Sequence, residues 1–116
     1  MQMEKMAERA MLYDFYGDLL TEHQKKIYEY VVYQDLSLGE IAGLCGISRQ
    51  AVHDVILRCD RILTGYEEKL HLVERFLNLK HSVGDLYTRM RQYAQEVGKP
   101  LPEPAEELFR KIRDEL

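Results

Sequence analysis

The chain predicts an all-α fold: a helix-turn-helix bundle continued by a long helix and a C-terminal helical extension. Three observations carry that expectation. Apolar residues recur at steps of three and four along most of the 116 residues, the spacing that lines one face of a helix. Thr21, Ser37 and Ser48 each precede such a run, and hydroxyl side chains in that place accept from the unpaired amides of a helix start. No alternating stretch reads as a strand, and Gly46 and the segment Gly98 to Pro104 stand where helices should stop. The expected organisation is residues 1–65 as the bundle and 66–116 as an extension for dimerisation or partner docking, in one structural domain overall. A chain of this size buries one modest core.

In chain order, Met6, Ala10, Leu12, Tyr13, Phe15, Tyr16, Leu19 and Leu20 form the first helical stripe, weakened near its end by Gly17. Thr21 with Gln24 makes a capping box, and the helix it starts runs to about Gln34 with Ile27, Tyr28, Val31 and Val32 inward. Lys25 and Lys26 near its start are candidates for touching a DNA backbone, although a solvated face is the simpler account. Ser37 with Glu40 makes a second box, followed by Ile41, Leu44 and Cys45 at helical spacing. Ala42 is small enough for a second helix to approach closely. Gly46 ends this helix because it adopts a left-handed backbone without a Cβ clash, and Ile47 folds back as its apolar stop. Ser48 then caps a helix whose inward face is Val52, Val55, Ile56 and Cys59.

What remains outward is Arg49, Gln50, His53, Asp54, Leu57 and Arg58. Two capped helices at a glycine corner, the second presenting polar residues at its start, are the grammar of a helix that enters a DNA major groove. Arg49 suits guanine and Gln50 adenine, while His53 and Arg58 suit phosphate or bases and Ser48 suits phosphate. Asp54 fits poorly beside phosphates. A plain helical corner explains the apolar residues and the caps, and leaves only Arg49 and Gln50 without a role.

Beyond the motif, Cys59, Leu63, Tyr66, Leu70, Val73 and Leu77 alternate steps of four and three, widened by Leu72 and Phe76. Such a seam pairs helices. A helix unbroken from Arg49 to Lys80 would be about 48 Å long, and whether Gly65 breaks it stays open. The seam is buried either by the C-terminal helices or by a second copy; the expectation is a homodimer using Leu63, Tyr66, Leu70, Val73, Phe76 and Leu77, together with the N-terminal helix. Ser82 to Val97 reads as a further helix with Val83, Leu86, Tyr87, Met90, Tyr93, Ala94 and Val97 inward. Pro104 suits the first position of a last helix through Leu116.

Net charge is -4, so a broad basic footprint is excluded. Residues 48 to 65 hold three Lys/Arg against two Asp/Glu, and residues 1 to 47 hold four against eight. DNA binding is therefore expected to be weak and salt-sensitive unless a dimer doubles the contacts. The four histidines are scattered, no glycine-rich phosphate loop follows a strand, and Cys45 and Cys59 lack metal spacing. No catalytic residue, metal site or cofactor is expected. No apolar run approaches the roughly 18 residues of a membrane span, and the N-terminus lacks the layout of a secretory signal, so a cytoplasmic place is expected.

The stretch TEHQKKIYEYVVYQDLSLGEIAGLCGISRQAVHDVILRCDRIL resembles region 4 of bacterial sigma factors, above all in EIA and GISRQAV. With LYDFYGDLLT before it and GYEEKLHL after it, the chain is similar to the YlxM-like family of small bacterial proteins. That resemblance implies a sigma-like fold without the parts that clamp polymerase or melt a promoter. It also implies a link to the signal recognition particle, beside whose GTPase subunit members are usually encoded. The partners it leaves open are DNA, and the protein or RNA of that particle.

Overall fold

The structure, a computed structural model, describes residues 2–116, with side chains from Lys5 onward. Six helices follow one another: α1 (Gln2–Tyr16), α2 (Glu22–Val32), α3 (Leu38–Cys45), α4 (Arg49–Leu70), α5 (Leu72–Glu96) and α6 (Glu103–Glu115), with a 3-10 turn at Gly17–Leu19. The fold is all-α, and no strand occurs among the described residues. Two compact units are present, one ending at Val73 and one spanning Glu74–Leu116. The division thus falls later than 65/66.

In the first unit the caps form as their residue types dictate. Thr21 Oγ1 accepts from the Gln24 amide while Gln24 Oε1 accepts from the Thr21 amide, and Ser37 and Glu40 repeat the exchange. Inward faces of α1 to α4 then close one core, in which Ile27, Tyr28, Ile41, Val52, Cys59 and Leu63 are wholly buried. Burying each such aliphatic side chain contributes about 1.5–3 kcal/mol. Leu44, expected at inward spacing, is 60% exposed, because a helix of eight residues has room for one buried stripe and Ile41 and Ala42 occupy it.

Two polar networks pin this unit. Arg9 of α1 donates to both carboxylate oxygens of Asp60 on α4, at 3.0 and 2.7 Å, and the Tyr28 hydroxyl of α2 donates to the same carboxylate at 2.7 Å. One acid thereby ties three helices together. At the other end, the Tyr16 hydroxyl donates to Glu67 and accepts from the Leu72 amide, while Glu67 accepts from the Val73 amide. These contacts satisfy two orphan amides at the start of α5.

That second network settles where the long helix ends. Helix α4 runs through Gly65 and stops at His71, which adopts a left-handed φ of 54°. A non-glycine residue there carries strain of order 1 kcal/mol, offset by the amides that Tyr16 and Glu67 receive. Helix α5 also begins ten residues before Ser82, the start read from sequence, and Ser82 lies inside it. Nothing before Ser82 breaks the helix. The true start is supplied by acceptors remote in sequence.

Leu63, expected at an interface between copies, is 0% exposed and belongs to the protomer's own core. Tyr66 stacks on Tyr16 with ring centroids 6.0 Å apart, and Val73 packs on the same core, so both are partly enclosed already. Leu70 and Leu77 remain exposed, and Phe76 is half-buried. In the second unit the Tyr87 ring of α5 meets Phe109 of α6 edge-on at 5.0 Å, and its hydroxyl donates to Glu106 at 2.8 Å. Leu86, Tyr93 and Val97, read as inward, are exposed, since a single facing helix covers only one side of α5. Helix α6 begins at Glu103, so Pro104 takes the second position and not the first.

The aromatic residues of the first unit make its stability sensitive to alkali. Burial and then the Asp60 hydrogen bond hold the Tyr28 phenol well above the ordinary range, and burial with Glu29 does the same for Tyr13. Tyr33 is pushed up to about 12 by burial and by Asp14, and burial raises the Cys59 thiol to about 11. Raised folded values mean that the unfolded chain loses its protons first. The contribution of these groups is therefore complete below about pH 8.5, declines first through Cys59, and falls more steeply above about pH 10 as the unfolded tyrosines ionise. Thermal melts at increasing pH, with phenolate absorbance recorded alongside, check both the onset and the order.

Candidate nucleic-acid interface

The corner between α3 and α4 is built as its residues require. Gly46 takes φ 68°, and the amides of Gly46 and Ile47 both return to the Ala42 carbonyl at 2.9 and 3.2 Å. Ile47 is thereby drawn against the core. The chain then turns into α4 with Ser48 as cap, its Oγ accepting from the Ala51 amide at 3.0 Å. Val52 and Ile56 are buried, which fixes the rotation of α4 about its axis.

That rotation leaves Ser48, Arg49, Gln50, His53, Asp54, Leu57 and Arg58 exposed together. The first turn of α4 carries no acid, unlike those of α2 and α3, which hold Glu22 and Glu40. Its positive dipole end is thus available to an anion. Arg49 lies back toward α3: a Cβ added to Gly39 would sit 3.4 Å from Arg49 Nε. Gln50 Nε2 donates to Asp54 Oδ1 at 2.9 Å across one helical turn. Asp54, awkward as a phosphate neighbour, therefore has a role in orienting Gln50.

Arg61 was not among the candidates from sequence, yet it lines a shallow groove on α4 with Asp54, Leu57 and Arg58. Its position three residues after Arg58 was the available signal. Asp60 was missed as well. Four residues after Ile56, it falls beside the inward stripe, where a carboxylate needs a partner. The Lys25 ammonium lies 3.0 Å from Asp18 and 3.9 Å from Glu22. Acids of the same small region thus occupy it, and of the two lysines Lys26 is the more exposed.

Among the described residues no helix is long and apolar enough to cross a membrane. The family described as "Putative helix-turn-helix protein, YlxM / p13 like" matches residues 3–99. A UPF0122 protein of Clostridium kluyveri is 45% identical over 80 residues, covering 69% of this chain and 72% of the relative. One from Desulforamulus reducens is 42% identical over 91 residues, 78% of each chain, and one from Lactiplantibacillus plantarum 42% over 92 residues, 79% and 80%. The protein belongs to this YlxM/p13-like family of helix-turn-helix proteins.

Proposed function

We propose that the protein is a non-enzymatic, DNA-binding regulator that presents the start of α4 to a major groove and acts as a homodimer. The observation that carries this reading is the shared exposure of Arg49, Gln50, His53, Leu57 and Arg58 at the acid-free, Ser48-capped end of α4. Arg49 and Gln50 read base edges, Asp54 holds Gln50 in place, and Ser48, Lys26, Arg58 and Arg61 neutralise or bond phosphates. With Lys25 already paired, few cations remain per chain. A second copy doubles them, which favours two-fold binding sites.

Selection from a random duplex library, followed by fluorescence anisotropy on the enriched sequences, tests the proposal. Arg49→Ala is expected to lose on the order of 1 to 3 kcal/mol of binding and to relax preference at one base pair. Arg58→Ala is expected to weaken all sequences alike. Absence of any enriched sequence, or an Arg49→Ala variant that binds unchanged, overturns it. Two observations favour a second reading. The net charge of -4 and the paired Lys25 suit an adaptor for the signal recognition particle GTPase or its RNA. In that case partner binding survives Arg49→Ala.

A further inference from the structure

We propose that the exposed face of α5 in the second unit is the homodimer interface, and that two copies of this helix pair antiparallel with Leu86 of each packed against Val83 of the other. This rests on the proposal that the protein dimerises and is independent of DNA as the ligand. Leu79, Val83, Leu86, Met90, Tyr93 and Val97 alternate steps of four and three, the repeat of a seam between paired helices. Helix α6 packs on the neighbouring face around Tyr87, with Val83 at the border between that face and the seam. Most of the seam is left open, with Leu79 55%, Leu86 52%, Tyr93 66% and Val97 50% exposed, while Val83 and Met90 are half-buried. This row of side chains extends over about 27 Å of helix.

Charge identifies both the occupant and its direction. Arg75, Ser82, Arg89 and Glu96 recur every seven residues along one flank of the seam, and all four are exposed. When two α5 helices run antiparallel with Leu86 against Val83, Arg75 lies beside Glu96 of the other copy, twice by symmetry. Ser82 then lies beside Arg89. In a parallel pair Arg75 instead faces Lys80, placing like charges together on both sides. The face is self-complementary in the antiparallel sense alone, as an isologous two-fold contact requires.

Sedimentation equilibrium on the full chain tests this, with helicity followed by circular dichroism to confirm that each variant is folded. The wild type is expected to dimerise on the order of tens of micromolar or below. Leu86→Glu, at an exposed position of the protomer, is expected to raise Kd more than about 100-fold. Arg75→Glu and Glu96→Arg are each expected to raise it roughly tenfold at low salt, and the double variant to return within about threefold of wild type. An equimolar mixture of the two single variants should dimerise better than either alone. A wild type that stays monomeric overturns the dimer altogether. A dimer untouched by Leu86→Glu places the contact elsewhere, and a dimer tightened by Arg75→Glu means parallel helices; either result overturns the antiparallel pairing while leaving dimerisation and the DNA reading intact.

Discussion

Asp60→Ala is expected to destabilise the first unit by about 3 kcal/mol, the range for removing one member of a substantially buried charge pair. Asp60 accepts both Arg9 guanidinium contacts and the Tyr28 hydroxyl. Its loss strands a cation whose side chain is only 17% exposed and a phenol whose ring is wholly buried. Burial opposes the charge on Arg9, and the Asp60 hydrogen bond and charge more than compensate, so its pKa lies above the ordinary value. Asp60→Asn should recover part of the loss, since an amide oxygen still accepts while the charge is gone. Chemical denaturation of the three proteins at neutral pH measures the series. A change below about 1 kcal/mol for Asp60→Ala would show that water replaces the carboxylate without penalty.

Leu63→Ala is expected to cost about 3 kcal/mol, within the range for deleting three buried carbons from a packed interior. The effect should be the same at every protein concentration, because Leu63 is buried within one protomer. A residue at a subunit interface behaves otherwise: its truncation acts through association and its cost depends on concentration. Thermal melts over a wide concentration range distinguish the two. A loss that disappears at low concentration would return Leu63 to the interface.

Much of the local architecture was legible in advance. The capping boxes at Thr21 and Ser37, the cap at Ser48 and the left-handed Gly46 are short-range devices, each complete within about four residues. The exposed set on α4 followed from the same logic, because burial of Val52, Ile56 and Cys59 fixes which residues remain outside. Arg61 was missed although its spacing was visible. Whether Gly65 breaks the helix could not be read in advance, because glycine weakens a helix without necessarily ending it; the ladder runs straight through.

Sequence by itself determined the capped starts of α2, α3 and α4 and the corner that turns Arg49 and Gln50 outward, since each depends on neighbours a turn or so away. Tertiary structure alone decided which apolar and charged side chains found partners. Leu63 went into the core, Asp60 joined α1 and α2 to α4, Lys25 was taken up by Asp18, and the helix break fell at His71 under Tyr16 and Glu67. Except for Lys25 with Asp18, these contacts join residues more than 30 positions apart or depend on such a contact. A periodic pattern specifies which face of a helix is apolar, and only packing specifies what that face meets.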